Sequence, residues 1–252
     1  GCAELQSVTL PVPADAGKSI SFNNAFYGCA KLTSVANLDK YTNVENFVSV
    51  FNGCAELESV TLPAGSTSAV SLSNAFYRCT KLTSVVNFDQ FTTTSSFLNT
   101  FNGCAALQSI TLPVPADAGK SSNFNSTFYG CTKLERVDNL KEYTNIQYLI
   151  STFVSCDYLL YVELGSVPGS ASTAAFSNAN PNCLKYVPAA ATIPADWKNV
   201  IADGKAKGDI KLDGWYPFRC PQAFSMDGHT ISYDRTFNPN IYSGTDGNPA
   251  GW

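Results

Sequence analysis

Nine cysteines are the residues of this 252-residue chain best equipped for chemistry. Thiols form disulfides, ligate zinc or act as nucleophiles. Seven of them fall at Cys2, Cys29, Cys54, Cys79, Cys104, Cys131 and Cys156, in steps of 27, 25, 25, 25, 27 and 25 residues. No two stand as C-x-x-C, so the spacing of a zinc pair is missing. The single histidine, His229, confines any hydrolase triad to one place and rules out a multi-histidine zinc site. It sits beside an expected hairpin turn and reads as an ordinary turn residue. No Walker or dinucleotide glycine fingerprint is present, and no calcium loop of the D-x-[DN]-x-[DN]-G kind. Asp39 and Asp89 occupy equivalent places and read as turn residues that bond their own backbone. No acid–base pair or activated nucleophile assembles from these parts, so the chain reads as a non-enzyme with no cofactor.

The cysteine spacing instead describes the elements that carry it. A fixed period in this range marks stacked coils. Three residues after each cysteine stands a leucine: Leu5, Leu32, Leu57, Leu82, Leu107, Leu134 and Leu159, with Leu184 as an eighth. Three further on stands a β-branched residue, from Val8 and Val35 through Val162 to Val187. Three before stands a phenylalanine: Phe26, Phe51, Phe76, Phe101, Phe128 and Phe153, with Phe176 continuing at altered spacing. The motif F-x-x-C-x-x-L-x-x-V predicts files of core side chains. Equivalent thiols in coils about 4.8 Å apart point the same way, whereas disulfides need facing Cβ atoms. A buried, reduced thiol column is therefore expected. Cys183 and Cys220 are read as outside the column, and the spacing leaves open whether they pair.

Coils alternate between two types, so the true unit is a pair of roughly fifty residues. The first type, C-A-x-L-x-S-[VI]-T-L-P, starts at Cys2, Cys54 and Cys104; the second, C-x-K-L-x-x-V-x-N-[LF], starts at Cys29, Cys79 and Cys131. PVPADAGK occurs at 11–18 and again at 113–120, and the middle copy, PAGSTSAV, is shorter by two. Each L-x-x-V-x-L predicts a short strand, ended in first-type coils by proline. First-type returns alternate at Ile20 and Phe22, then Val70 and Leu72, and predict extended segments. Second-type returns space Val44, Phe47, Val50 and Phe51 at three and four, and predict helical turns. Asn37, Asn87 and Asn139 predict buried amides that satisfy backbone groups where the strand turns away.

Past the repeats, Ile193–Ile201 predicts a capping helix within 191–208, with Thr192 as cap, Asp196 in the first turn, Trp197, Val200 and Ile201 on one face, and Gly204 as the stop. KLDGWY and SMDGHTIS predict hairpins in a small β segment over 209–252. The expected organisation is a solenoid over 1–190 of about 7.5 coils, the capping helix, and the β segment.

Charged residues make up 14% of the chain, against roughly 25% in average domains. A net charge of −4 and no basic run argue against nucleic acid. No apolar stretch of about 18 residues occurs, so no membrane insertion of this segment is expected. The chain opens on Gly1 inside a repeat, GCAELQSVTL matching GCAELESVTL at 53–62, and reads as a piece of a longer protein.

On the residues A-F-Y-x-C-x-K-L-T-S-V and C-A-x-L-x-S-V-T-L-P, the chain resembles the BspA-like leucine-rich repeats of bacterial surface proteins over about residues 1–190. YVPAAATIPADWKNV is similar to the end of such arrays, and TISYDRTFNPN to a β-rich module that follows them in gut anaerobes. The Asn positions and the two-type alternation depart from the pattern. The resemblance implies a right-handed α/β-type solenoid with a parallel sheet on its concave face, secretion or display at the cell surface, and adhesion or ligand capture.

Repeat proteins bind along that concave sheet. The residues flanking each inward valine are small over five coils: Ser7 and Thr9, Ser34 and Ala36, Ser59 and Thr61, Ser84 and Val86, Ser109 and Thr111. They then become Arg136 and Asp138, Tyr161 and Glu163, and Lys185 and Tyr186. Charged and aromatic groups are what interface centres use. The expectation is a monomeric module that recognises a host or bacterial surface protein through these residues. Two alternatives stand beside it: glycan capture by Tyr161, Tyr186 and exposed asparagines, and a structural spacer.

Overall fold

The computed structural model describes residues 1–14, 18–64, 70–168, 172 and 174–202, and the backbone of 205–206, 225–226 and 229–230. Its strands are β1 (Ser7–Thr9), β2 (Ile20–Ser21), β3 (Ser34–Ala36), β4 (Val44–Asn46), β5 (Ser59–Thr61), β6 (Ser84–Val86), β7 (Ser109–Thr111) and β8 (Ser122–Asn123). They continue as β9 (Arg136–Asp138), β10 (Ile146–Tyr148), β11 (Tyr161–Glu163), β12 (Leu184–Val187), β13 (Val200–Ala202), β14 (Lys205–Ala206), β15 (Ser225–Met226) and β16 (His229–Thr230).

On the strand side, first-type and second-type coils pair in parallel, β1 with β3, β5 with β6 and β7 with β9, each valine or isoleucine opposite its equivalent. On the return side, β2 pairs with β4 and β8 with β10, and bridges at Asn46–Ser71 and Ser96–Asn123 join successive units. The chain is thus a parallel β-solenoid whose coils are tied at both sides.

The core is made of files. Phe26, Phe51, Phe76, Phe101, Phe128 and Phe153 stack face to face at 5.3–5.8 Å between centroids, within 16° of parallel. Burying each ring contributes about 1.5–3 kcal/mol, and each ring pair about 0.5–1.5 kcal/mol beyond that. Every described cysteine is a free thiol. From the third coil on, the Sγ donates to the carbonyl of the phenylalanine one coil back: Cys54 to Phe26, Cys79 to Phe51, Cys104 to Phe76, Cys131 to Phe101 and Cys156 to Phe128, at 3.0–3.1 Å. Cysteine fills the site because it is small and apolar yet carries a weak donor.

The asparagines close the second-type strands. Asn37, Asn87 and Asn139 sit at φ 65 in the left-handed region, which asparagine tolerates. Each starts a single 3-10 turn, and each Nδ2 donates to the last leucine carbonyl of the preceding strand: Leu10, Leu62 and Leu112, at 2.8–2.9 Å. They are half-buried rather than buried. Tyr41 and Tyr143 reach further, donating to the carbonyls of Pro11 and Pro113 at 2.7 Å; the shorter middle unit has Phe91 there.

Two expectations about helix are corrected. No α-helix occurs among the described residues. The second-type returns are strand followed by tight turns. The Phe47 amide bonds Ser71 of the next coil instead of its own chain four residues back, and Ser49 at φ 53 breaks any helical run. The capping helix expected at Ile193–Ile201 is also absent among the described residues. Trp197 ends a turn begun at Pro194, and β13 then adds in parallel to β12, with antiparallel β14 closing the sheet. An isolated helix of nine residues is marginal in water, whereas the open edge of β12 presents unpaired backbone groups that a further strand satisfies. β15 and β16 pair antiparallel within SMDGHTIS. KLDGWY, Gly204 and Cys220 lie outside the described residues.

Candidate functional site

The outward positions of the strand face form two files. Over the first five coils the residues are small: Ser7, Ser34, Ser59, Ser84 and Ser109 in one file, and Thr9, Ala36, Thr61, Val86 and Thr111 in the other. The first file continues as Arg136 and Tyr161, the second as Asp138 and Glu163. Arg136 is exposed and its Nε lies 3.1 Å from Asp138 Oδ1. Thr111 Oγ1 donates to the other Asp138 oxygen at 3.4 Å. Lys141, just past the 3-10 start, reaches across one coil to Glu163 at 3.3 Å. The charges of neighbouring coils thus interlock along the surface, and exposed pairs of this kind contribute little to stability. Tyr161 packs edge-on against Tyr186, with centroids 5.5 Å apart.

The last coil does not sit where the leucine count places it. β11 and β12 pair Val162 with Lys185, and Glu163 with Tyr186, a step of 23 residues. The same step relates Phe153 to Phe176, whose rings stack at 5.0 Å. Lys185, opposite Val162, therefore takes the valine place. Lys185 is thereby an inward residue, not a surface one. It is 3% exposed, and its ammonium donates to the Cys183 and Lys198 carbonyls at 2.8 and 3.0 Å. It also lies 4.7 Å over the Phe176 ring, which Trp197 meets edge-on. Burial lowers its pKa against the smaller upward pull of the Cys183 thiolate. Tyr186 and Leu184 occupy the outward positions of β12 but are buried. Leu184 is the outward residue that counting by 25 misassigns; the Phe176 spacing is the signal that finds it.

Of the six expected site residues, the structure therefore brings Arg136, Asp138, Tyr161 and Glu163 onto one accessible surface. Among the described residues, no group of three or more His, Cys, Asp or Glu side chains could hold a metal ion. No described helix is long and apolar enough to cross a membrane.

A sequence profile described as BspA type leucine rich repeat region, with six copies, matches residues 1–117 and 49–183. The chain belongs to this family. Among solved structures, it is similar to a leucine-rich repeat protein from Eubacterium ventriosum at 17% identity and a TM-score of 0.47, covering 80% of this chain and 47% of that one. A leucine-rich repeat protein from Bacteroides ovatus shares 21% identity at a TM-score of 0.38, over 73% of this chain and 54% of that one. A leucine rich cell surface protein from Faecalibacterium prausnitzii shares 21% identity at a TM-score of 0.34, over 81% and 74%. The BspA-type chain spans about half the length of the first two. No curated protein matches it.

Proposed function

We propose that this chain is a non-enzymatic module, secreted or displayed at the cell surface, that recognises a protein partner through the C-terminal third of its strand face. The observation that carries the reading is the change along that face. Five coils present serine, threonine, alanine and valine. The next two present Arg136, Asp138, Tyr161 and Glu163. Regular packing requires none of these four, and arginine and tyrosine are the residues on which interface energy concentrates. Family membership supports a binding role and a surface location.

The test is binding of the labelled chain to intact host epithelial or bacterial cells, read by flow cytometry, before and after the cells are shaved with trypsin. Shaving should abolish binding. The double variant Arg136→Ala/Tyr161→Ala should weaken it about 30-fold, about 2 kcal/mol at hot-spot scale, without loss of fold. Full binding by the double variant overturns the assignment of the face, and full binding to shaved cells overturns the protein partner.

A further inference from the structure

A second surface file lies two positions before the thiols, at the corner where each coil turns toward its strand: Tyr27, Asn52, Tyr77, Asn102 and Tyr129, ending at Val154, which is buried. Backbone bonds of 2.7–2.8 Å hold these positions in register. The amide of Gly28 donates to Asn52, Gly53 to Tyr77, Arg78 to Asn102, Gly103 to Tyr129 and Gly130 to Val154. The two-coil unit makes ring and amide alternate over the first five positions. Tyr27 is 50% exposed and Tyr129 is 43% exposed, while the phenylalanines one residue earlier are buried. Tyr77 is half-buried, with the Arg78 guanidinium 5.2 Å over its ring. Aromatic groups that the core does not use are thus held at the surface on every second coil.

We propose that this file binds an extended β-1,4-linked polysaccharide chain. Adjacent phenylalanine rings in the same corner are 5.3–5.8 Å apart, so tyrosines recur at about twice the coil advance. In an extended β-1,4-linked chain each sugar is turned over relative to the last, and equivalent faces recur at every second residue. One sugar advances by about the length of one coil. Sugars one and five would stack on Tyr27 and Tyr129, and sugar three on the Tyr77 face opposite the Arg78 guanidinium. The amides of Asn52 and Asn102 would meet the hydroxyls of sugars two and four. Tyrosine suits this role because its rigid ring offers an apolar face and a polar tip. The tyrosine and asparagine positions carry no charge, and Arg78 is the one charge in the file beside them, which fits a neutral chain. An α-1,4-linked chain curls and loses the period after two residues. The surface is separate from the strand-face residues above, so the two assignments stand or fall apart.

Calorimetric titration of the full chain with cellohexaose, chitohexaose and maltohexaose tests the proposal. At least one β-1,4-linked hexamer should bind and maltohexaose should not; which hexamer binds separates a glucan from an N-acetylglucosamine polymer. Affinity should rise from the trisaccharide to the pentasaccharide, the length that spans all three rings. Tyr27→Ala, Tyr77→Ala and Tyr129→Ala should each weaken binding about 2- to 10-fold, and the triple variant should abolish it. Should the triple variant unfold, the single changes at Tyr27 and Tyr129, the most exposed rings, carry the test. The proposal is overturned if neither β-1,4-linked hexamer binds, if maltohexaose binds as well, or if folded tyrosine variants keep native affinity.

Discussion

Mild alkali should dismantle this solenoid, and the thiol file is the reason. Burial raises the ionisation of Cys54, Cys79, Cys104, Cys131, Cys156 and Cys183 above the ordinary 9.0, to about 12 for Cys54 and about 11 for Cys183. For the file members Cys54, Cys79, Cys104 and Cys156, a neighbouring thiolate would add to that burial effect. A group held neutral in the folded chain stabilises it fully below the unfolded value. That stability drains away as pH rises from there toward the folded value. At pH 10, one unit above the ordinary value, each thiol that ionises only on unfolding favours the unfolded chain by about 1.4 kcal/mol. Six such thiols remove about 8 kcal/mol, comparable to the whole stability of a typical domain. Lys185 acts in the opposite sense, since its burial penalty fades as pH climbs toward 10.5, but it is one group against six. The assay is urea unfolding followed by circular dichroism at intervals from about pH 7 to 10.5. Stability should be flat to about pH 8.5 and then fall steeply. In the double variant Cys79→Ala/Cys104→Ala the alkaline slope should drop by about a third. A flat profile through pH 10, or an unchanged slope in the double variant, would refute the reasoning.

Other perturbations separate the remaining contributions. Phe76→Ala removes a fully buried ring stacked between two others and should cost about 3–5 kcal/mol in chemical denaturation. A cost below about 1.5 kcal/mol would show that the file collapses around the gap. Asn87→Gly keeps the left-handed turn but loses the bond to Leu62, and should cost about 1 kcal/mol. Asn87→Ala loses both, so its unfolding free energy should fall further, by about another 1–2 kcal/mol. Tyr143→Phe should cost about 1 kcal/mol through the orphaned Pro113 carbonyl, with Phe91 marking how the middle unit lives without that bond. An unchanged midpoint there would mean that water replaces the hydroxyl.

The regular coils were legible because stacking imposes one side-chain type on each file. A cysteine, leucine, valine or phenylalanine out of step would meet the wrong neighbours above and below. The asparagines were legible for a related reason, as a polar residue repeated in an apolar setting needs a fixed partner. The C-terminal end was harder to read. Trp197, Val200 and Ile201 are spaced as a helix face, but the free edge of β12 outweighed that local preference. Leu184 and Val187 kept the 25-residue count while the coil itself followed Phe176 at 23. The count therefore placed Lys185 on the surface, although its position is that of a core valine. Arg136, Asp138, Tyr161 and Glu163 were readable as outward residues, since strand alternation alone fixes their side. Their ion pairs were not, because those depend on rotamers and on coils that follow later.

The alternation of coils has a consequence for how such arrays lengthen. Each asparagine clasps a leucine belonging to the other kind of coil, and the strand ladders join unlike neighbours. Excising or inserting one coil sets two of the same kind side by side and leaves a clasp without its mate. The molecule can therefore grow or shrink cleanly only by even numbers of coils, and PVPADAGK recurs unchanged at that kind of interval, two whole units apart.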